Sequence, residues 1–226
     1  MTIYERALEM VPDGSVIGLG SGRAAWAFVQ LLGERISAGR LHVRGVPASE
    51  ATAHVAEQHG VPLVDLADAG ELALMVDGAD EVDPYLDLIK GYGRALLREK
   101  VVAASSRQLI ILVGQEKIVP RLATRGLIPV EVVPFAAPLC ERRLRALGLR
   151  PVVWADNGKP RVTDNGNHIL DCETAPLTDP VRLEADIRSI PGVAGTGLFL
   201  GMADAVLIGN DRSFQLTAER RRDGKH

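Results

Sequence analysis

Four ionisable side chains between positions 77 and 99 have the types and spacing needed to move a proton on a carbonyl compound. Asp77 and Asp80 belong to the acidic loop Asp77–Glu81, Lys90 precedes a glycine turn, and Glu99 lies in a predicted helix. A carboxylate can abstract a proton next to a carbonyl group, and an ammonium group can stabilise the resulting enediolate charge. The four residues therefore predict acid–base chemistry on a sugar, which needs neither a metal ion nor a hydride acceptor.

The orientation of Glu99 decides whether it can act as the base. Arg98 and Lys100 flank it in sequence, but neighbouring residues of a helix project from different faces. Glu99 can therefore point inward while its neighbours point outward. An inward carboxylate in a cleft is a candidate general base. The alternative is an exposed helical glutamate, which is the ordinary position of this residue type.

A glycine-rich loop, Gly18-Leu19-Gly20-Ser21-Gly22, separates a predicted strand from a helix that begins near Arg23. Backbone N–H groups of glycines and of a helix N-terminus can approach an anion, and Ser21 adds a hydroxyl. The loop matches neither the dinucleotide-binding pattern nor the Walker A pattern. It favours a sugar phosphate over a nucleotide. A tight strand-to-helix turn without a ligand is the alternative.

Alternating strands and helices must position these loops. Apolar periodicity predicts strands at 15–19, 41–46, 72–76 and 109–113, and helices at 23–38, 49–60 and 93–105, with Ser49 as a helix N-cap. Such alternation implies a parallel sheet covered by helices, with ligands at the carboxyl ends of the strands.

The pattern changes near Pro120 to shorter units punctuated by prolines. Strands are predicted at 129–133, 151–154, 161–163 and 168–172, helices at 138–147 and 180–190, and a returning core strand at 203–208. Asp164-Asn165-Gly166 is predicted to be a turn. We therefore expect an α/β fold: a Rossmann-like core with a parallel sheet (1–125 and 203–226) plus a smaller inserted α+β, ferredoxin-like domain (126–202).

Composition narrows the class of protein further. The 226 residues carry 26 Lys and Arg against 29 Asp and Glu, so a general nucleic-acid binder is not expected. The sequence has no apolar run long enough to cross a membrane and no apolar signal core, and Cys140 and Cys172 form no paired motif. These features predict a cytoplasmic protein with reduced thiols. The charged tail, with Arg220-Arg221-Arg222, is expected to be solvated.

Several ordered motifs resemble the ribose-5-phosphate isomerase type A family. They extend over nearly the whole chain, from about Val16 to Ile208, and their order along the chain is the family's. The motifs are Asp77–Glu81, Leu88–Gly91, Ala95–Lys100, Pro129–Pro134, Thr163–Asn167, and Ile190–Val193 with Gly197–Phe199. The resemblance implies interconversion of D-ribose 5-phosphate and D-ribulose 5-phosphate, a pentose phosphate pathway step, through an enediolate and without a cofactor or metal. It also implies a homo-oligomer, for which we expect a homodimer.

The resemblance also implies roles for individual residues. Glu99 matches the catalytic base, Asp77 and Asp80 the acidic pair that contacts the sugar, and Lys90 the lysine that stabilises the oxyanion. Lys117 matches a substrate-contacting lysine. Together with the loops, the predicted substrate-binding set is Leu19, Gly20, Ser21, Gly22, Arg23, Gly78, Ala79, Gly91, Tyr92, Gly93 and Lys117.

Two loops depart from the family pattern. The first usually reads Gly-Thr-Gly-Ser-Thr, so two hydroxyl donors are missing, each hydrogen bond to a charged group being worth about 1.5–3 kcal/mol. Arg23 is a candidate replacement, since a guanidinium suits phosphate; a surface arginine is the alternative. The other loop has Tyr92 and Arg94 among glycines, which predicts a narrower pocket and an added cation.

These departures leave alternatives to the ribose 5-phosphate reaction. One is an isomerase of another sugar phosphate. A second is a non-catalytic sugar-phosphate-binding sensor, against which the intact Asp77, Asp80, Lys90 and Glu99 argue. A third is an acyl-CoA transferase, since related folds use a glutamate nucleophile.

Overall fold

The computed structural model describes residues 1–210 and 212–219, so the predicted solvated run Arg220–Arg222 lies outside the described residues. The described helices are α1 (Ile3–Leu8), α2 (Arg23–Ser37), α3 (Glu50–Gln58), α4 (Leu96–Ala104), α5 (Ala137–Ala146) and α6 (Pro180–Arg188). The described strands are β1 (Val16–Leu19), β2 (Arg44–Pro47), β3 (Met75–Gly78), β4 (Glu81–Val82), β5 (Leu88–Ile89), β6 (Leu109–Val113), β7 (Leu127–Val132), β8 (Arg150–Val153), β9 (Ala155–Asp156), β10 (Lys159–Pro160), β11 (His168–Glu173), β12 (Val193–Thr196), β13 (Leu198–Phe199), β14 (Ala205–Gly209) and β15 (Phe214–Glu219).

The chain forms two compact units, each built from segments that are separated in the sequence. The first comprises residues 1–79, 99–117 and 201–226, and the second comprises 80–98 and 118–200. The return to the first unit near 201 is close to the predicted boundary at 202. The second unit begins earlier than predicted, because 80–98 and 118–125 belong to it rather than to the core. Segment 80–98 joins it through β4 and β5. Strand β5 pairs with β13 and β4 pairs with β5, whereas neither belongs to the large sheet.

The first unit is built on a six-stranded sheet with strand order β15-β14-β6-β3-β1-β2. All its pairings are parallel except that of β14 with β15. Strand β6 is buried along its whole length, which explains its unbroken run of Leu, Ile and Val. Helix α2 places Phe28, Val29 and Leu32 in the core against the sheet. The predicted Rossmann-like parallel sheet is confirmed.

The second unit has the topology β7-α5-β8-β11-α6-β12, and its four strands are ordered β12-β7-β11-β8 in an antiparallel sheet. This is the ferredoxin-like arrangement, as predicted. Its core includes Ile128, Val130 and Leu170 from the sheet and Leu144 and Ile187 from the helices.

One local prediction is wrong, and α1 was missed. The predicted strand at 161–163 is irregular: pairing stops at Pro160, and a separate hairpin of β9 and β10 turns at Asn157 and Gly158, which have positive φ angles. Helix α1 is short, and its signal was a capping box: the Thr2 hydroxyl accepts from the Glu5 N–H, and the Glu5 carboxylate accepts from the Thr2 N–H.

Both cysteine thiols are fully buried in the second unit, and burial raises the pKa of the Cys172 thiol to about 12 and also raises that of Cys140. We expect the native protein to resist modification by a thiol reagent at pH 8, because the reactive thiolate is scarce and inaccessible. The measurement is reagent uptake before and after denaturation, with two thiols titrated only in the unfolded chain. Rapid native labelling of either cysteine contradicts the prediction.

None of the described helices combines the length and the apolar character needed to span a bilayer.

Candidate active site

Asp77 lies at the carboxyl end of β3 and is fully buried. Its Oδ1 accepts hydrogen bonds from the backbone N–H of Ser21, at 3.1 Å, and of Gly78, at 2.7 Å. Strands β1 and β3 are parallel neighbours, so the loops after them meet at one edge of the sheet. The structure thus brings the glycine-rich loop and the acidic loop together in the first unit.

Gly20 is required by this contact. A Cβ atom at position 20 would lie 2.2 Å from the carboxyl carbon of Asp77, while the Gly20 N–H donates to the Val76 carbonyl at 2.9 Å. The Gly20 backbone is held by its hydrogen bond to Val76, and the Asp77 carboxylate is held by the amides of Ser21 and Gly78. A side chain at position 20 must therefore displace Asp77.

We expect Gly20→Ala to destabilise the protein by about 1–3 kcal/mol, the usual effect of overpacking a tight site, and to reduce activity by moving Asp77. Gly78→Ala is the matched variant for stability, because a Cβ there would lie 3.6 Å from the Ala24 methyl, an ordinary contact. Chemical denaturation gives the free energy of unfolding of both variants, and these values are compared with that of the parent. Equal stability losses would show that the contact with Asp77 is not the cause.

Hydroxyl groups linked by hydrogen bonds support the glycine-rich loop, and most of them carry no signal in the sequence. The Ser21 and Ser49 hydroxyls are 2.9 Å apart, and the Ser49 hydroxyl donates to Thr52 Oγ1 at 2.9 Å. The Thr52 hydroxyl donates to the Gly20 carbonyl at 2.8 Å and accepts from the Trp26 indole at 3.0 Å. The one sequence signal was Ser49, correctly predicted as the N-cap of α3.

The groups near this loop that could bind an anion lie at the start of α2. The Gly20 and Ser21 amides already donate within the protein. Gly22, the N-cap with φ of 93°, has no side chain to cap the helix, and the amides of its first turn have no intrahelical acceptor. Arg23 is exposed at the first helical position. By contrast, the Leu19 side chain is fully buried in the apolar core, so only its backbone could contact a ligand.

Glu99 lies in α4 and is only 3% exposed, so its side chain points inward. Val102, three residues later on the same face, packs over β1: a Cβ on Gly18 would lie 2.6 Å from a Val102 methyl. Because α4 leads into β6, parallel to β3, the N-terminal end of α4 lies toward the carboxyl ends of the strands. Glu99 is therefore placed on the sheet-facing side of α4, near that edge.

Asp80 begins the second unit and organises the loop that contains Lys90. Its backbone N–H donates to the Ile89 carbonyl at 2.8 Å, and its Oδ2 accepts from the Tyr92 N–H at 3.0 Å. The carboxylate is thus held against the turn formed by Gly91 and Tyr92.

Lys90 is also buried, with 3% of its surface exposed. Its backbone N–H donates to the Gly197 carbonyl at 2.9 Å, and its Nζ lies 5.5 Å from the centre of the Phe199 ring. An ammonium group over an aromatic face is attracted by the negative face of the ring. No residue pattern in the sequence marks Phe199 as a partner of this lysine.

The Tyr92 and Arg94 side chains contact other residues of the second unit. The Tyr92 ring packs on the apolar core, its hydroxyl donates to the Leu127 carbonyl at 3.4 Å, and burial raises its pKa to about 12. Arg94 has a φ of 69° and forms an ion pair of 2.6 Å with Asp171 while lying over Trp154. These contacts hold the left-handed backbone that the family's glycine would adopt freely.

The remaining predicted site residues are backbone or peripheral positions. Gly91 has a φ of 112° and closely approaches Leu96, and Gly93 is exposed. Gly78 and Ala79 are half-buried at the end of β3. Lys117 is half-buried in a single turn of 3-10 helix just after β6, in the first unit.

Glu81, the third carboxylate of the acidic loop, is structural. It is fully buried and accepts the backbone N–H groups of Thr124, at 3.2 Å, and Arg125, at 2.6 Å. Desolvation raises its pKa above the ordinary value. Within residues 1–210 and 212–219, no group of three or more His, Cys, Asp or Glu side chains is arranged to hold a metal ion.

Known proteins resemble this chain over nearly its full length. A ribose-5-phosphate isomerase A of Roseiflexus castenholzii is 51% identical over 215 residues, which are 94% of this chain and 92% of that protein. The ribose 5-phosphate isomerase A structure from Methanocaldococcus jannaschii superposes with a TM-score of 0.90 at 37% identity, covering 96% of both chains. A D-ribose-5-phosphate isomerase in complex with phospho-erythronic acid gives 0.91 at 35% identity, again covering 96% of both chains.

The fold and the site define an α/β protein with a Rossmann-like sheet, the buried carboxylate of Asp77 at the end of one of its strands, and an inserted ferredoxin-like unit. The profile of the family described as ribose 5-phosphate isomerase A (phosphoriboisomerase A) matches residues 44–213. The chain belongs to the ribose 5-phosphate isomerase A family.

Proposed function

We propose that the protein interconverts D-ribose 5-phosphate and D-ribulose 5-phosphate through an enediolate. The observation that carries the proposal is the burial of Asp77, Lys90 and Glu99, which are water-excluded ionisable groups in a chain of this family. Such groups are retained in an interior when they have partners or chemistry to perform.

In the proposed mechanism Glu99 moves the proton between C1 and C2. Its carboxylate takes the proton from C2 of the open-chain aldose, and the C–H electron pair forms the C1–C2 double bond while O1 gains the negative charge. The O2 hydroxyl proton passes to O1, which moves the negative charge to O2. The same carboxylic acid then returns its proton to C1, and O2 becomes the ketone oxygen. A positioned general base of this kind contributes about 10²–10⁴-fold to the rate.

Lys90 is proposed to stabilise the charge on the enediolate oxygen. Its ammonium group is excluded from bulk water, where electrostatic interactions are stronger. Asp77 and Asp80 are proposed to contact the sugar hydroxyls and to assist ring opening, in which a carboxylate takes the O1 hydroxyl proton and returns it to the ring oxygen as the C1–O bond breaks. The hydrogen bonds that each accepts from backbone amides hold both carboxylates in place.

The phosphate group is proposed to bind at the start of α2. The first-turn amides, the Ser21 hydroxyl and the exposed Arg23 guanidinium supply donors and positive charge there. Arg23 would take the place of the hydroxyls that this loop lacks relative to the family pattern.

The direct test is isomerisation of D-ribose 5-phosphate by the purified protein after dialysis against a chelator, with no cofactor added. Formation of ribulose 5-phosphate supports the proposal. Turnover of a different aldose phosphate from a panel, without turnover of ribose 5-phosphate, would redirect the substrate assignment. Ligand binding without any turnover would indicate a sensor.

We further propose a cytoplasmic homodimer. Light scattering on the purified protein should give about twice the 24.2 kDa chain mass. A monomeric mass across the micromolar range would count against the dimer.

A further inference from the structure

Two sequence motifs that the proposed mechanism does not use meet Arg98 in the second unit. They are the Glu131 strand motif (129–134) and the turn Thr163–Asn167, and Arg98 lies in the first turn of α4. All three are joined by side-chain hydrogen bonds. We call the connected side chains Glu131, Asn165 and Arg98 the Arg98 network.

Glu131 is the anchor of the Arg98 network. It projects from β7, the central strand flanked by β12 and β11, and is fully buried. Its Oε1 accepts from the Thr163 hydroxyl at 2.9 Å and from the side-chain amides of Asn165, at 3.2 Å, and Asn167, at 3.0 Å. Three donors of the turn converge on this one carboxylate oxygen, so the turn is tied to the strand.

The Asn165 side chain links Glu131 to Arg98 in α4. While its amide nitrogen donates to Glu131, its Oδ1 accepts from Arg98 Nε at 2.9 Å. Arg98 Nη2 also donates to the Asp164 carbonyl at 2.8 Å, and Nη1 lies 3.6 Å from the Asp164 carboxylate. A planar guanidinium held by several acceptors has a defined orientation, which a flexible lysine would not reproduce.

Arg98 immediately precedes Glu99 in α4, so fixing Arg98 fixes the backbone from which Glu99 projects. The Arg98 side chain is 35% exposed, so its fixed geometry comes from these bonds rather than from core packing. Displacement of a reacting group by about 1 Å can cost a factor of 10² in rate.

We propose that the Arg98 network positions the catalytic base, with Arg98 and Asn165 acting as positioning residues that do not touch the substrate. This inference rests on the proposed role of Glu99. It also accounts for the turn motif Thr163–Asn167, whose side chains do more than close a loop.

The experiment compares Arg98→Gln, Asn165→Ala and the double variant with the parent. We expect each single variant to lower kcat by about 10-fold or more with KM changed less than about twofold, and the double variant to be no worse than the poorer single one, since linked residues are not additive. Arg107→Gln is the control: Arg107 also pairs with a carboxylate, that of Glu71, but at an exposed position. It should keep parental kcat.

A second readout does not depend on turnover. Hydrogen exchange of the α4 amides should become faster in Arg98→Gln and Asn165→Ala and stay unchanged in Arg107→Gln. Parental exchange in α4, or kcat effects that simply add, would overturn the inference. If the parent is active and Glu99→Gln is inactive while Arg98→Gln has parental kcat, the network proposal fails and the proposed function stands.

Discussion

Glu99→Gln is expected to lower kcat for ribose 5-phosphate isomerisation by about 10²–10⁴-fold, the usual contribution of a positioned general base. Glutamine keeps the size and hydrogen-bonding shape of the side chain but cannot take a proton from carbon. Because Glu99 is buried on the sheet-facing side of α4, water cannot readily replace it. KM should change little, since substrate binding does not require the proton transfer.

The matched control for this variant is Glu57→Gln, the same substitution at an exposed position of helix α3. It should leave kcat at the parental value. A second measurement is the exchange of the substrate C2 proton with solvent, followed by NMR, which should slow in step with kcat. Near-parental turnover by a folded Glu99→Gln protein would show that Glu99 is not the base.

Lys90→Met is expected to lower kcat by about 10²–10³-fold, the loss typical of removing one electrostatic stabiliser of a developing oxyanion. Methionine preserves most of the apolar stem that packs near Phe199 but removes the charge. The enediolate would then form in a buried environment without its cation, where charge is poorly stabilised.

Lys159→Met at the exposed hairpin of β9 and β10 is the control, and its activity should equal that of the parent. The C2 proton exchange should fall together with kcat in Lys90→Met if the lysine stabilises the enediolate. Unaltered exchange with impaired binding would instead assign Lys90 to substrate affinity. Thermal unfolding of both variants separates these effects from loss of folding.

Local sequence was enough to predict most elements of the fold. The buried run Leu109–Val113 and the periodic helix that became α2 have strong patterns, because burial on a sheet or along one helix face dictates the residue types there. The α+β character of the second unit followed from its short strands and two helices, but its complete strand order did not, because β12 was not predicted and 161–163 is not a strand. Segment 80–98 was assigned to the wrong unit because short strands such as β4 and β5 carry almost no periodic signal, and only their pairing partner decides where they belong.

For the site, the sequence by itself determined which chemical groups are present and at which strand ends they stand. The acidic loop after β3 and Glu99 in α4 were visible as residue types and spacings. Only the tertiary structure decided what each side chain contacts: Leu19 lies in the core, Arg94 pairs with Asp171, and Glu131 binds the turn that holds Arg98. The physical reason is that charge and periodicity are local properties of a sequence, whereas burial and hydrogen bonding depend on residues brought together from distant positions.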